Sequence, residues 1–390
     1  MRNEEWITSQ LAELRAQGLE RRTRVLPAVG GKLPHAEGEI LNFASNDYLA
    51  LARHSHVLAS AARALADYGA GATSARLLAG TLPCHDELEQ RLAVSKGYPA
   101  ALLFGSGYLA NAGVIPALVG REDAVFADRL VHASIVDGIA LSRAKLQRFR
   151  HNDPTHLAEL LRRHTGRGRC LVITESVFSM DGDLAPLVEL VQLAEQYGAM
   201  LLVDEAHAIG VFGPNGNGCI RACQLEARVN ISMGTLSKAL GSSGGYVACS
   251  AEMRALLVNK ARTFIFTTAA PPAVIGAALG ALDVLQAAPE LGATLLAQSA
   301  FFRARLQAAG LDTGPSASQI VPVLVGDAKR TLELARRLAE HNILAAAIRP
   351  PTVPAGTARL RLSVTSAHTR EDLARAADII ATCAREAGVL

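Results

Sequence analysis

Residues 232–241 read SMGTLSKALG and hold a single lysine, Lys238, among small, hydroxyl-bearing and apolar neighbours. Lys238 is also the only charged residue within the range 230–250. A buried ammonium group without a carboxylate beside it loses proton affinity, and the neutral amine is a nucleophile toward carbonyl compounds. Thr235 and Ser237 could offer hydroxyl groups to a phosphate beside the same lysine. A lysine in a solvated loop is the plain alternative, so the interpretation depends on a second stretch.

That second stretch, residues 200–210, reads MLLVDEAHAIG. Apolar residues followed by Asp204 are typical of a buried parallel strand that delivers a carboxylate to its C-terminal end, where open α/β sheets bind ligands. A carboxylate there can keep a pyridine nitrogen protonated, and His207 can reach a neighbouring ring substituent. Asp204 alone could cap a helix, and His207 alone could be a structural histidine. Together with Lys238 they predict a site for pyridoxal 5'-phosphate.

Two motifs, DEAHAIGVFG at 204–213 and GTLSKALGSSGG at 234–245, resemble the α-oxoamine synthases, which are fold-type I pyridoxal phosphate enzymes. The resemblance extends from NFASNDYLAL near residue 42 to RPPTVPAGTARLRL near residue 349. It implies an α/β fold with a mostly parallel seven-stranded sheet, helices on both faces and a smaller C-terminal α/β domain. The expected divisions are an N-terminal helix and arm (1–45), a large cofactor-binding domain (46–285) and a small domain (286–390).

The resemblance also implies roles for individual residues. Lys238 carries the cofactor and later acts as the base, Asp204 and His207 contact the ring, and His132 stacks on it; these four are the expected catalytic residues. Further cofactor-binding residues are expected at Ser106, Gly107, Tyr108, Glu175, Ser179, Thr235, Thr267 and Thr268. The last two resemble a segment whose hydroxyl groups reach the phosphate of a partner subunit, which implies a homodimer with its active site at the interface.

Substrate binding is expected at Asn46, Arg349 and Thr352, with Arg349 as the clamp for a carboxylate, because guanidinium binds carboxylates through two parallel hydrogen bonds. Arg21 lies in a basic cluster that fits either a solvated turn or the binding of an anionic substrate group. Taken alone, Asn46 would be interpreted as a turn residue.

Family members condense an amino acid with an acyl thioester and release carbon dioxide. Within this family the chain most resembles the members that use L-alanine and a pimeloyl thioester of coenzyme A or an acyl-carrier protein, so these are the expected substrates. Succinyl-using relatives carry polar residues where this chain has the apolar Ala75 and Leu77, which suits a longer acyl chain. The stretch Thr73-Ser74-Ala75 departs from the usual glycine pair and hydroxyl residue. Alternatives are glycine with acetyl or succinyl thioesters, serine with a fatty acyl thioester, or an inactive subunit, which the presence of Lys238 disfavours.

Two other motifs are typical of different protein classes, namely nicotinamide enzymes and helicases. Residues 105–110, GSGYLA, fit the dinucleotide pattern G-x-G-x-x-A after an apolar strand, but a nicotinamide enzyme would leave Lys238 and Asp204 unexplained. The phosphate-binding property of such a loop serves pyridoxal phosphate equally well. Residues 204–207 spell a helicase box, but the chain has no G-x-x-x-x-G-K-[ST] loop.

Composition limits the remaining possibilities. A net charge of +3 over 390 residues gives no reason to expect a nucleic-acid partner. Six irregularly spaced cysteines suggest free thiols in the cytoplasm, and the pair Cys219 and Cys223 has no second pair with which to bind zinc, so no metal site is expected.

The N-terminus lacks a signal-peptide pattern, and the uncharged runs 100–120 and 263–282 are interpreted as buried interior. A helix that lies on the body of the protein is expected at 6–19, and a second helix is expected at 273–309. Strands are expected at 321–325 and 359–364, the second with alternating basic and apolar residues.

Overall fold

The computed structural model describes residues 4–21, 23–36, 38–166 and 168–390. Two compact units divide the chain. The larger comprises Asn46–Ser179 and Asp183–Leu296, and the other comprises Met1–Ser45, Met180–Gly182 and Ala297–Leu390. The segment before Asn46 therefore groups with the C-terminal residues. As domain boundaries, the ranges 1–45, 46–285 and 286–390 stay predictions.

The strands in chain order are β1 Lys32–His35, β2 Gly38–Asn42, β3 Ala100–Phe104, β4 Ala124–Asp128, β5 Lys145–Phe149, β6 Cys170–Glu175, β7 Met200–Asp204, β8 Ile231–Thr235, β9 Gly245–Cys249, β10 Ile320–Gly326, β11 Ile343–Leu344, β12 Ala346–Ile348 and β13 Ala358–Ser363. The α-helices are α1 Glu5–Ala16, α2 Ser55–Tyr68, α3 Pro83–Lys96, α4 Gly107–Leu118, α5 Ala133–Ser142, α6 Pro154–Arg163, α7 Leu187–Gln196, α8 Cys219–Ala222, α9 Ala251–Lys260, α10 Arg262–Ile265, α11 Pro272–Ala287, α12 Leu291–Ala308, α13 Ala328–Glu340 and α14 Arg370–Glu386.

A seven-stranded sheet in the order β3-β9-β8-β7-β6-β4-β5 forms the centre of the larger unit. Its strands run parallel except β9, which is antiparallel to both of its neighbours. The predicted mostly parallel sheet is therefore confirmed. The inner strands are apolar runs because both of their faces are buried. Fully buried side chains from five adjacent strands contribute to this core: Val125, Leu171, Leu202, Ile231 and Val247.

The register of the sheet explains where polar side chains collect. Glu175, the last residue of β6, pairs with Asp204, the last residue of β7, and Asp204 pairs in turn with Met233 on β8. Since these strands are parallel, their C-terminal ends share one edge. The two carboxyl groups and the loop that follows β8 are thereby brought to the same place.

The dinucleotide pattern at 105–110 does follow a strand and open a helix, since β3 precedes it and α4 begins at Gly107. However, β3 is an edge strand that pairs only with the antiparallel β9 among the described strands. A dinucleotide fold requires a parallel β-α-β unit at this position. The topology therefore argues against a nicotinamide-binding role.

The single helix expected over 273–309 is wrong, because the structure has two helices there, α11 and α12. The break contains Pro289, whose ring blocks the helical hydrogen-bond pattern and pushes the preceding residue out of helical geometry; Ala288 has φ −132° and ψ 72°. Across the described part of the chain, no single helix is long and apolar enough to cross a membrane, although α11 and α12 together pass that test as a bent pair.

Two expectations for the smaller unit also need correction. No side chain of α1, all of whose residues are described, is buried, and Trp6 is 61% exposed, so this helix does not lie against a core. Strand β13 alternates basic and apolar residues, a pattern that indicates one solvated face, yet all its residues are buried. Its arginines are accommodated by polar partners, since Arg359 pairs with Asp181 and Arg361 donates to the Ser363 hydroxyl.

A half-buried histidine joins two carboxyl groups of the larger unit. His151 contacts Asp128 through Nδ1 at 3.0 Å and Asp183 through Nε2 at 2.8 Å. Burial opposes its protonation, but the hydrogen bonds to the two carboxylates outweigh burial and raise its pKa to about 9. The charged imidazole therefore stabilises the folded chain fully below its ordinary pKa of about 6.5 and loses that contribution as the pH rises through about 9.

We expect the His151→Gln variant to be less stable than the wild type at pH 6, and we expect this difference in stability to shrink as the pH rises. The free energy of unfolding of the wild type should exceed that of the variant by about 3 kcal/mol more at pH 6 than at pH 10. Urea unfolding of both proteins at the two pH values measures this difference. The exposed His341→Gln is the control and should show no such change. An equal gap at both pH values would mean that His151 is not held charged.

Candidate active site

Lys238 lies in the loop that joins β8 to β9. Two backbone hydrogen bonds close this loop, from the amide of Leu236 to the carbonyl of Gly244 and from Ser242 back to Leu236, each close to 3 Å long (3.0 and 2.9 Å). The Nζ atom of Lys238 lies 2.9 Å from Nε2 of His207, which follows β7. The two motifs that predicted the site therefore meet in the structure.

A chain of hydrogen bonds continues behind His207. Its Nδ1 atom lies 2.7 Å from the hydroxyl of Tyr48, and that hydroxyl donates to Oδ1 of Asn46 at 3.2 Å. Tyr48 is fully buried and His207 is 5% exposed. The imidazole is thus held at both ring nitrogens, and hydrogen bonds link Asn46 to Lys238 through Tyr48 and His207.

Asp204 is 5% exposed at the end of β7 and is held at both carboxylate oxygens. Oδ2 accepts a hydrogen bond from the side-chain amide of Asn111 at 3.0 Å, and Oδ1 accepts one from the backbone amide of Ala206 at 2.9 Å. Two donors on different elements fix the plane of the carboxylate. It presents a fixed acceptor to any group bound in the adjoining cavity.

His132 caps the N-terminus of α5 and lies beside Glu175. Its backbone amide donates to Oε1 of Glu175 at 2.6 Å. Burial lowers the pKa of the His132 imidazole, although the charge of Asp204 opposes this. Burial also raises the pKa of Glu175, and the nearby Asp204 adds to the increase. A planar imidazole whose backbone is held by Glu175 suits stacking on an aromatic ring.

The opposite side of the site suits a phosphate. The hydroxyl of Ser106 caps the amide of Leu109 at the start of α4, and the amides of the first helical turn have no partner within a helix. Gly107 packs closely there, since a Cβ would lie 3.1 Å from the end of the Met233 side chain. The hydroxyls of Thr235 and Ser237 lie 2.7 Å apart beside it.

These groups line one cavity of about 210 Å³. The predicted residues that line it are Ser106, Gly107, Tyr108, His132, Glu175, Asp204, His207, Thr235 and Lys238. Sequence reasoning did not select Ser134, Ala206 and Met233, which also line it, nor Asn111 and Tyr48 behind it. A signal was available for Asn111, because an amide within an apolar helix must find a partner when buried.

Other predicted residues lie elsewhere. Ser179 is buried but does not line this cavity, and Thr267 and Thr268 line a separate cavity of about 10 Å³. Arg21, Arg349 and Thr352 belong to the other unit. There the Arg349 guanidinium donates to the carbonyl of Gly18, and burial together with the charge of Arg21 lowers its pKa. The amide of Thr352 donates to the Arg349 carbonyl at 3.1 Å.

Comparison with known proteins identifies the family that the chain resembles. Residues 38–380 match the family model described as aminotransferase class I and II. The chain is 50% identical over 388 residues to 8-amino-7-oxononanoate synthase from Geobacter sulfurreducens, covering 98% of this chain and 99% of that protein. It is 52% identical over 365 residues to the protein of the same name from Anaeromyxobacter dehalogenans strain 2CP-1, covering 93% and 92%.

Solved structures give the same picture. Serine palmitoyltransferase from S. paucimobilis superposes with a TM-score of 0.93 at 32% identity, covering 100% of this chain and 99% of that one. The 8-amino-7-oxononanoate synthase from Francisella tularensis superposes with a TM-score of 0.77 at 31% identity, covering 89% and 98%. The predicted resemblance to the α-oxoamine synthases and the predicted fold-type I architecture are confirmed.

Proposed function

The chain belongs to the aminotransferase class I and II family, and we propose that it condenses L-alanine with a pimeloyl thioester in biotin biosynthesis. The products are 8-amino-7-oxononanoate, carbon dioxide and the free thiol of coenzyme A or an acyl-carrier protein. One observation carries the proposal: the amine of Lys238 and the carboxylate of Asp204 line the same small cavity, with His207 2.9 Å from the amine. The near full-length similarity to synthases of this name supports the choice of reaction.

The residues present fit pyridoxal phosphate. The cavity offers an amine for the aldehyde, a fixed carboxylate for the ring nitrogen, and hydroxyls beside a helix N-terminus for the phosphate. We therefore assign Lys238 as the attachment point, Asp204 as the partner of the ring nitrogen and His132 as the stacking residue.

When bound, the cofactor supplies an electron sink for the negative charge that develops on the α-carbon of alanine. Asp204 keeps a proton on the pyridine nitrogen, which maintains that sink. The amine of Lys238 is placed to remove the α-proton of bound alanine, and His207 orients that amine through the 2.9 Å contact. With the cofactor bound, the site would join the α-carbon of alanine to the acyl carbon of the thioester, with loss of the thiol and of carbon dioxide.

Several further assignments belong to the proposal. Ser179 and His207 are assigned to the ring oxygen, with Glu175 behind them; Arg349 and Thr352 are assigned to the carboxylate of the amino acid, and Asn46 to the substrate pocket. Thr267 and Thr268 are assigned to the phosphate of the partner subunit in a cytoplasmic homodimer. Their position outside the cavity of Lys238 agrees with a role in another subunit.

An assay of the purified protein tests the proposal. Alanine, glycine and serine are each combined with pimeloyl, acetyl, succinyl and palmitoyl thioesters, and the released thiol is scored. We expect alanine with the pimeloyl thioester to give the highest kcat/KM. Preference for serine with the palmitoyl thioester would instead match the serine palmitoyltransferase that this chain resembles in structure.

Chain-length selectivity is expected to depend on the loop that contains Ala75 and Leu77. Ala75 forms an isolated β-bridge with Thr268, and Leu77 is 50% exposed. We assign both residues to the apolar wall that receives the acyl chain. A pimeloyl group has three more methylenes than a succinyl group, and their burial favours it by up to about 50-fold in kcat/KM. We expect the double change Ala75→Thr and Leu77→Asn to reduce this ratio.

The neighbouring Leu78→Asn is the matched control, because Leu78 is 82% exposed and lies outside the pair of positions that differ in succinyl-using relatives. Its ratio of pimeloyl to succinyl activity should stay that of the wild type. If the double variant also keeps the wild-type ratio, these two positions do not form the acyl wall.

A further inference from the structure

A buried asparagine connects two of the residues assigned to the cofactor ring, Asp204 and His132. Asn111, on α4, is fully buried, and its side-chain nitrogen lies 3.0 Å from Oδ2 of Asp204 and 3.0 Å from Oγ of Ser134. The Ser134 hydroxyl lies 2.8 Å from Nδ1 of His132. An unbroken path of hydrogen bonds therefore runs from Asp204 through Asn111 and Ser134 to His132.

The orientation of the Asn111 amide follows from its neighbours. Its nitrogen has two hydrogens, one for the carboxylate and one for the serine hydroxyl, and this leaves that hydroxyl free to donate to His132. Among the described residues, Oδ1 of Asn111 is buried without a hydrogen-bond partner. A flipped amide would aim this oxygen at the Asp204 carboxylate and lose the donor. The chain thus accepts an unsatisfied carbonyl in order to hold the donor in place.

The packing of α5 on α4 makes this path possible. A Cβ at Gly138 would lie 2.7 Å from the backbone oxygen of Asn111, so only glycine allows the two helices to approach this closely. Ser134 lies one helical turn before Gly138 on α5. The close approach brings its hydroxyl within reach of the Asn111 side chain.

We propose that Asn111 is a positioning residue whose amide donors hold Asp204, and through Ser134 also His132, in the geometry that receives the cofactor ring. This inference rests on the proposed function, since it concerns the same cofactor site. It assigns Asn111 no contact with the substrate. Its contribution is the fixed direction of the carboxylate and the fixed plane of the imidazole.

Two substitutions separate the donor from the shape of the side chain. Asn111→Leu keeps the volume and removes the donors, so kcat should fall about 10- to 100-fold while KM for alanine changes little. Asn111→Asp keeps the shape, and its introduced carboxyl group lies buried beside Asp204, where burial and like charge favour its protonated form. That form donates one hydrogen bond to Asp204, whereas the ionised form repels it.

The expected signature is a difference in pH dependence. The other titratable groups lining the cavity are the same in both variants: Tyr108, His132, Glu175, Asp204, His207 and Lys238. Turnover of Asn111→Asp relative to wild type should therefore rise as the pH is lowered from 9 to 6, whereas that of Asn111→Leu should stay low throughout. Affinity for pyridoxal phosphate, measured by titrating the apoproteins, should follow the same pattern: it should be weak in Asn111→Leu at every pH and should improve in Asn111→Asp as the pH is lowered.

Matched variants keep the test decisive if Asn111→Leu fails to fold, which thermal unfolding would reveal. Ser134→Ala removes the next link and should weaken cofactor binding. Ser142→Ala, on the same helix, removes a buried hydroxyl that bonds only backbone groups and should leave both readouts unchanged. Equal losses in Asn111→Leu and Asn111→Asp at every pH, or no loss in Asn111→Leu, would overturn the inference. A wild type that binds no pyridoxal phosphate would overturn the proposed function instead.

Discussion

Lys238→Ala is expected to lower turnover by at least about 1,000-fold, because the variant loses both the covalent attachment point and the base that removes the α-proton. The wild-type protein should be yellow, with a visible absorbance band from bound pyridoxal phosphate. Borohydride reduction followed by peptide mapping should place the cofactor on Lys238. The variant should bind the cofactor reversibly, since the groups assigned to the phosphate remain.

The matched control is Lys260→Ala, which removes an exposed lysine at the end of α9. It should keep the absorbance band, the borohydride product and the turnover of the wild type. A small primary amine added to Lys238→Ala should recover part of the proton-transfer step, because it can occupy the space left next to His207. Full activity in a Lys238→Ala protein without covalently held cofactor would refute the assignment of the reaction.

The central part of this site could be predicted because its residues follow strands. An apolar run followed by Asp204 indicates a strand end, and parallel strands bring their ends to one edge. That edge also receives the loop of Lys238. The spacing of the motifs therefore predicted their meeting, which the 2.9 Å contact between Lys238 and His207 confirms.

What could not be predicted depends on register and on helix faces. Glu175 pairs with Asp204 because of the register between β6 and β7. Apolar runs of residues do not indicate which register two strands adopt. Asn111 and Ser134 lie on helices with apolar residues on most sides, so their buried faces are not visible in the periodicity. The same limit explains β13, where alternation indicated a solvated face that the structure does not have.

Helix boundaries show a different limit. The apolar composition of 273–309 indicated one continuous helix and outweighed Pro289, although proline within such a run is a local breaker. The structure follows the local signal, and α11 ends at Ala287. Overall composition therefore predicted the helical state, while one residue determined where the helix breaks.

Asp204→Asn is expected to lower turnover by at least about 100-fold, the low end of what one positioned proton-holding group contributes. A neutral amide cannot keep the pyridine nitrogen protonated, so the ring loses its strength as an electron sink. The substitution also replaces one acceptor oxygen by a donor, and both oxygens now accept hydrogen bonds, from Asn111 and from the amide of Ala206. Cofactor affinity should fall much less than turnover. Asp283→Asn, at a half-exposed carboxylate on α11, is the control and should keep wild-type turnover.

A cofactor analogue separates the charge of the ring from the geometry of the site. Pyridoxal phosphate methylated at the ring nitrogen carries a permanent positive charge that needs no proton from a carboxylate. Reconstituted into apo Asp204→Asn, it should recover part of the lost turnover, whereas in the wild type it should lower activity, because the methyl group occupies the space next to Asp204. Turnover of Asp204→Asn within a few-fold of the wild type with the natural cofactor would show that Asp204 is not the ring partner. In that case the carboxylate held by Asn111 serves the fold of the site rather than its chemistry.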